Sequence, residues 1–408
     1  MSTVDEIRQG LVESGLMSEE TVDGYLAAWQ ALDDDERKPS SDADAEAEQF
    51  VHWLIQSEVV TELHGEALLA GYTGPFVLGP YLVKEQIAGG RGGGVFRAEH
   101  EEFNQPVSLK IFPRAVSTDE AKQARFGREV RIVSELDHAN VVRAFQVGRL
   151  GDIYYLALES LTGETLRSKL MREGRLPYAE ACRLIRDVAK GLAHMHEHEV
   201  IHRDLRPDNI WLTSEGKPKI MEFGASVDAL AHIDEVEDAE DEQSPTIDDM
   251  VVTRYDYMPP EQAYDENCAD ALSDIYSLGC ILYHCLTGRP PFIDKHPIKK
   301  VLRHVYDQPT PPSELFDDIP RPIDDTVAGM LAKQYEKRFQ KAEDVAWALE
   351  QYVGPEGDDE QVAVVDVSPQ YLQWAQSQTA KASQPSNQAE GASPELTRFL
   401  DFISERKR

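Results

Sequence analysis

The chain has 408 residues, with 41 Lys and Arg against 74 Asp and Glu and a formal net charge of −33. That length holds one domain of about 250–300 residues plus flanks; the charge makes the chain a poor binder of nucleic acid, and no run of about 18 apolar residues offers a membrane span. Cys182, Cys268, Cys280 and Cys285 lack metal-ligand spacing, and the N-terminus MSTVDEIRQG lacks a signal-peptide pattern, so a reduced, cytoplasmic setting is expected.

Residues 1–78 carry a weak internal repeat. LVESGLMSE (Leu11–Glu19) echoes LIQSEVVTE (Leu54–Glu62), with Ser18 and Thr61 as candidate N-caps. The spacing predicts two helix-turn-helix pieces, with the acidic stretch PSSDADAEAEQ (Pro39–Gln49) as a linker between them. Such a helical extension is either a packing appendage or a docking and self-association module.

Residues 81–113 read as strand, loop, strand, strand. IAGGRGGGVFRAEH (Ile87–His100) is glycine-rich, with Gly90, Gly93 and Val95 in sequence and Ala88 ahead of them. Glycines at such a turn let backbone N–H groups approach a phosphate with no Cβ in the way. VSLK (Val107–Lys110) follows at strand periodicity, with Ser108 on the same wall. Asp119–Leu136 has helical spacing at Phe126, Val130, Val133 and Leu136, with Glu129 inside FGREVRIVSEL. HANVVRAF comes next, then the strand IYYLALESL (Ile153–Leu161). The spacing of Ile185, Val188, Leu192 and Met195 predicts an amphipathic helix over Arg183–His198.

VIHRDLRPDNIWLTSEGKPKIMEFG (Val200–Gly224) follows. It resembles the catalytic and metal loops of the protein-kinase family, written H-R-D-L-x-x-x-x-N and then D-F-G. His202–Asn209 matches, and Glu222 stands where the family has Asp. The glycine-rich stretch, Lys110 in the V-A-I-K slot, Glu129 in the helix C pattern and HANVVRAF extend the resemblance, which covers about residues 81–352. The segment before it, ending in LLAGYTGPFVLGPY, looks like the N-terminal extension of kinases from planctomycete bacteria. The resemblance therefore implies a bacterial eukaryotic-like Ser/Thr kinase.

The resemblance implies roles by position. Gly90, Gly93 and Val95 would cover the phosphates of ATP. Lys110 would meet its α- and β-phosphates, held by Glu129. Leu158 would be the gatekeeper, and the backbone of Glu159–Leu161 would contact adenine. Asp204 would accept or orient the substrate hydroxyl proton, and Arg206, in place of the usual Lys, would bring charge to the γ-phosphate. Asn209 and Glu222 would hold Mg²⁺. His202 would be structural, under Phe223, and Arg203 would meet a phosphorylated residue. Glu222 adds a methylene, moving the carboxylate by about 1.5 Å, and a misplacement of about 1 Å can cost on the order of 100-fold in rate. Trp211 stands where the family usually has Leu against adenine, so its indole either stacks on the base or fills its site.

After Gly224, the segment His232–Asp249 is rich in acids and has no Lys or Arg. It reads as a solvated segment, or else as an acidic strand that attracts basic partners or covers the substrate groove. Ser244, Thr246 and Thr253 are candidate phosphorylation sites; Arg254 takes the register of the expected Thr before Pro260-Glu261. SDIYSLGCILYHCLTGRPPF (Ser273–Phe292) resembles the helix F region, where Asp274 would brace the catalytic loop, and Arg338 would pair with Glu261. Gly354–Arg408 reads as a linker that ends in a short amphipathic helix, SPELTRFLDFISERKR.

The expected fold is α+β, a two-lobed protein-kinase fold with a helical N-terminal extension. Its expected divisions are an extension over 1–78, a kinase-like domain over 81–352 (small lobe 81–161, large lobe 162–352) and a flexible tail over 353–408. The expected function is ATP- and Mg²⁺-dependent phosphorylation of protein hydroxyls, slowed by Glu222, on a protein substrate or signalling partner. The alternative is a pseudokinase that binds nucleotide or scaffolds partners, favoured by Ala88, Trp211, Glu222 and the altered Thr253–Arg254 region.

Overall fold

Thr3 and Glu6 close a capping box, the Thr3 Oγ1 accepting from Glu6 N at 3.2 Å, and start helix α1 (Val4–Glu13). This computed structural model describes residues 3–32, 43–74, 76–90, 93–111, 135–150, 153–221, 255–264, 268–353 and 367–382. Expectations at Glu129, Glu222, Ser244, Thr246, Thr253, Arg254, His232–Asp249 and the terminal amphipathic helix lie outside these residues. Ser18 caps α2 (Glu19–Gln30), and Thr61 caps α4 (Glu62–Leu69). The sequence repeat is a structural repeat. The Met17 N donates to Leu11 O at 3.2 Å and, at the equivalent place, Val60 N donates to Leu54 O at 3.4 Å. Gly15 and Glu58, also equivalent, both take positive φ, at 75° and 56°.

Helix α3 (Ala43–Gln56) begins inside the stretch expected to be a linker. Ala and Glu favour helix, and Asp44 and Glu46 sit where the N-terminal dipole welcomes acid, so acidity there does not mean loop. Ile7, Leu11, Val22, Trp29, Phe50 and Leu54 form the core of this bundle. The bundle is also fastened to a sheet. Burial keeps the His64 imidazole below its usual range, so it is neutral, and Nε2–H donates to Val83 O at 2.7 Å. Thr61 Oγ1 donates to Lys84 O.

The chain divides into two compact units. The first comprises Met1–Val116, Phe145–Ser160 and Val365–Arg408. It holds a six-stranded sheet in the order β1-β2-β3-β4-β6-β5. Its strands are β1 (Val77–Leu78), β2 (Tyr81–Gly90), β3 (Gly93–His100), β4 (Gln105–Ile111), β5 (Ala144–Leu150) and β6 (Ile153–Glu159). Phe96, Ala98, Val107, Leu109, Tyr155 and Ala157 share one core with Leu63, Ala67 and Phe76 from the extension. At about 25 cal/mol per Å² of apolar area, such shared burial is what holds the extension to the sheet.

A correction concerns the tail. Pro369–Ala382, expected to be linker, is a helix packed into this same unit. Tyr371 and Ala375 are fully buried, Tyr371 Oη meets Tyr81 Oη at 2.9 Å, and Val147 N donates to Thr379 Oγ1 at 3.3 Å. The ring of Trp374 lies 4.4 Å from that of His100. Composition hides this helix, because its few anchors, at i, i+3 and i+4, stand among Gln and Ser.

The second unit comprises Ser117–Ala144 and Leu161–Val364. Strand β7 (Glu164–Thr165) leads into α5 (Leu166–Glu173), capped by Thr165, and α6 (Tyr178–Glu197). Helix α6 buries Ile185, Val188, Leu192 and Met195, the stripe expected from their spacing. It packs on α7 (Ala271–Thr287) and on the helix Ala342–Glu350. Asp270 caps α7, and Gly288 ends it with φ 74°, where a Cβ would be strained. Strands β8 (Ile210–Leu212) and β9 (Pro218–Ile220) pair antiparallel, with β7 on the other side of β8. Among the described residues, no helix is long and apolar enough to cross a membrane.

Candidate active site

The loop between α6 and β8 is built around one buried carboxylate. Arg203 has φ 68°, an uncommon conformation for a residue with a side chain. Asp274 on α7 holds it there. Its Oδ1 accepts from Arg203 N at 2.8 Å, and its Oδ2 accepts from His202 N at 2.8 Å and from His196 Nε2 at 2.9 Å. From the other side, Gln262 Nε2 donates to Arg203 O at 3.1 Å. His202 is buried, and its Nε2 donates to Met221 O at 3.0 Å. The loop is thus tied both to α7 and to the end of β9.

Asn209 closes the loop. Its Nδ2 donates to Asp204 O at 2.8 Å, its backbone N to Arg206 O at 2.9 Å, and its carbonyl accepts from Met221 N at 3.0 Å. With Nδ2 committed, Oδ1 is the amide atom left to face a cation. Asp204 is partly exposed, and Arg206 Nε lies 3.6 Å from its Oδ2. The structure therefore brings Asp204, Arg206 and Asn209 together, as expected. An amide oxygen and a carboxylate are hard donors and suit a hard cation such as Mg²⁺.

Strand β9 is seated by Asn140 of HANVVRAF, whose Nδ2 donates to Pro218 O at 2.9 Å and whose carbonyl accepts from Ile220 N at 2.8 Å. Helix α6 passes close beneath. A Cβ on Gly191 would meet Asn140 O at 2.8 Å and Ile220 Cδ1 at 3.0 Å. Trp211 on β8 pairs with Thr165, is buried, and donates its indole N–H to Thr162 O at 3.0 Å. That donor is committed to the chain and does not face a ligand.

In the first unit, the β2–β3 hairpin closes with Gly90 opposite Gly93, and Ala88 opposite Val95. Val95 faces Lys110 across β3 and β4, and Ser108 faces Leu158 across β4 and β6. Leu158 and Glu159 are buried in the last turn of β6, and Leu161, which opens the second unit, is buried too. Lys110 is half-buried. Glu129 and Glu222 lie outside the described residues.

A cleft in the second unit adjoins Asp204, lined by Arg203, Asp204, Tyr257, Met258, Gln262 and Ser277. Sequence reasoning did not single out Tyr257, Met258, Gln262 or Ser277; the available signal was the position of the first three beside Pro259-Pro260-Glu261 and of Ser277 three residues after Asp274. Ser277 Oγ donates to Tyr257 O at 2.8 Å, and Tyr257 Oη donates to His284 Nδ1 at 2.7 Å. Below, Arg338 is fully buried and grips Glu261 with NH1 to Oε1 at 2.8 Å and NH2 to Oε2 at 3.3 Å. Burial pushes the Glu261 carboxyl up, but Arg338 and Ser273 outweigh it and leave it below the usual range. Both scaffold pairs, Asp274 with the loop and Arg338 with Glu261, stand as the resemblance implied.

The family model described as protein kinase domain matches residues 81–348. The chain is 32% identical over 274 residues to the serine/threonine-protein kinase PknB of Mycobacterium leprae, covering 66% of this chain and 42% of that protein. It is 30% identical over 273 residues to the serine/threonine-protein kinase PrkC of Bacillus subtilis, covering 67% and 40%. The chain thus spans about two fifths of the length of these relatives. Among solved structures, the PknI kinase domain of Mycobacterium tuberculosis matches with a TM-score of 0.51 and 22% identity, over 68% of this chain and 97% of that one. The likeness bears out the expected α+β fold.

Proposed function

The chain belongs to the protein kinase family, and from that premise we propose that it transfers the γ-phosphate of ATP to serine or threonine hydroxyls of a protein. The observation that supports this most is the Asp204–Asn209 loop. The Asn209 amide bonds the backbone carbonyl of Asp204 within one turn, and Asp274 and Met221 fix that turn from two sides.

In this reading, Asp204 takes or orients the proton of the attacking hydroxyl at its carboxylate. Arg206 and Lys110 bring positive charge to the phosphates. The hairpin of Gly90, Gly93 and Val95 offers backbone N–H groups to them. Leu158, Glu159, Leu161 and the ring of Trp211 are the residues that would meet the base. Asn209 Oδ1 and Glu222 would hold Mg²⁺, which when bound neutralises phosphate charge. Glu129 would orient Lys110. The cleft of Tyr257, Met258 and Gln262 beside Asp204 is where the peptide around the acceptor hydroxyl would lie. A cytoplasmic setting fits four cysteines that form no disulfide, and the N-terminal extension is the surface through which self-association would run.

Mass spectrometry of the purified chain incubated with ATP and Mg²⁺, beside Asp204→Ala, tests the reading. New phosphates only in the unmutated chain are expected. Equal phosphate in both samples, or none in either even with a generic protein substrate, would remove it.

A further inference from the structure

The helix Pro297–Tyr306 is built inside out. Lys300 and His304 are its buried side chains, 3% and 0% exposed, while Ile298, Leu302 and Tyr306 face solvent at 76%, 48% and 72%. Lys300 pairs with the buried Asp256, and Tyr276 Oη bonds His304 Nδ1 at 3.1 Å. Polar partners thus satisfy the inner face, and the apolar face is turned outward. Ile298, Leu302 and Tyr306 stand four residues apart, on one stripe. Tyr264, near Tyr306, and Ile293 extend it. Most of the large apolar side chains that are exposed among the described residues lie in this one patch, which marks an interaction surface rather than scattered exposure.

Its charge narrows the occupant. Lys295 and Lys299 are exposed beside the stripe, and Arg303 lies along it, its Nε 2.9 Å from Asp307 Oδ2 and its NH1 donating to Ile293 O. This is a basic rim on a chain of net charge −33. The same chain carries a segment of opposite character. His232–Asp249 contains Asp234, Glu235, Glu237, Asp238, Glu240, Asp241, Glu242, Asp248 and Asp249, no Lys or Arg, and the apolar Ile233, Val236 and Ile247. The chain leaving that segment reaches the described structure at Tyr255 and is pinned at once by the Asp256–Lys300 pair, at this helix. The residues between Asp249 and Asp256 span roughly 20 Å when extended. The helix itself is about 15 Å long, so the segment reaches either end of it.

We infer that the outward face of Pro297–Tyr306, with Tyr264 and Ile293, is a docking site for the chain's own acidic segment His232–Asp249. Its apolar residues would meet the Ile298–Leu302–Tyr306 stripe, and its acids would meet Lys295, Lys299 and Arg303. The inference does not rest on phosphotransfer and stands or falls without ATP.

The test is photocrosslinking in the full-length chain, with p-benzoylphenylalanine at Leu302 and, as a control, at the exposed Trp347. The Leu302 probe is expected to crosslink a peptide within residues 232–249 of the same chain, and the Trp347 probe is not. Lys295→Glu with Lys299→Glu should lower that yield about tenfold, and raised salt should lower it further, because exposed charges are screened. Both lysines are exposed, so the variants should keep the melting temperature of the parent. A Leu302 crosslink to any other segment, one between two chains, or a yield no higher than at Trp347 would overturn the inference.

Discussion

Asp274 Oδ1 accepts the backbone N–H of Arg203 at 2.8 Å, and Arg203 stands at φ 68°. One buried carboxylate on a buried helix therefore holds a strained turn next to Asp204. Asp274→Ala would leave the N–H groups of Arg203 and His202 and the His196 ring without their acceptor. Unsatisfied buried donors cost about 1–3 kcal/mol each, so urea unfolding should show a loss of at least a few kcal/mol. Phosphotransfer should fall by on the order of 100-fold, because a turn that relaxes displaces Asp204 by about 1 Å. Asp274→Asn keeps one acceptor and should lie between the two. Unchanged activity in Asp274→Ala would separate the turn from catalysis.

Glu222 follows directly on Met221, whose backbone is fixed on both sides by Asn209 O and His202 Nε2, each at 3.0 Å. Glu222→Asp shortens the reach by about 1.5 Å and restores the residue that the family pattern has there. Autophosphorylation followed by mass spectrometry should speed up by about 10- to 100-fold. No increase would mean that the longer carboxylate already reaches the metal.

His284 predicts a pH dependence of stability. Burial pushes its imidazole down from 6.5 to about 4, and Tyr257 Oη donates to its Nδ1. Above pH 6.5 it is neutral whether the chain is folded or not. Between 6.5 and 4 the unfolded chain takes up a proton that the folded chain refuses. Stability is therefore lost as pH falls through that window, by about 3 kcal/mol for this group when the window is crossed. Urea midpoints from pH 7 to 4.5 should show a shallower slope in His284→Gln than in the parent. Parallel slopes would show that His284 is not what titrates.

What could be read from the sequence depended on how local the signal was. The loop His202–Asn209 was legible because its residues stand within one short motif, and hydrogen bonds such as Asn209 Nδ2 to Asp204 O run inside it. Asp274 and Arg338 are distant in sequence and were legible only through the family pattern, which encodes tertiary partners that spacing cannot. Helix α3 was half hidden, because acid-rich Ala-Glu sequence fits both linker and helix until Phe50 and Leu54 find a core. The outward stripe on Pro297–Tyr306 was illegible for the opposite reason. A sequence rule places Lys300 outside, and only Asp256 explains why it is inside.

The tail helix Pro369–Ala382 gives the last prediction. Tyr371 is fully buried in the core of the first unit, and Tyr81 Oη serves both Tyr371 Oη and Gln146 Oε1. Tyr371→Phe removes one hydroxyl but leaves Tyr81 its bond to Gln146, so it should cost only about 1 kcal/mol. Tyr371→Ala opens a cavity the size of a ring between the helix and the sheet and should cost about 3–5 kcal/mol. Trp374→Ala should fall between, since its ring packs on His100 but is only partly buried. Urea denaturation checks the order. A tail that merely rests on the surface predicts three small and equal losses; a tail that completes the core predicts Ala well below Phe at position 371. Because the sheet carries Lys110 and the glycine hairpin, nucleotide affinity should weaken in Tyr371→Ala and stay near the parent value in Tyr371→Phe.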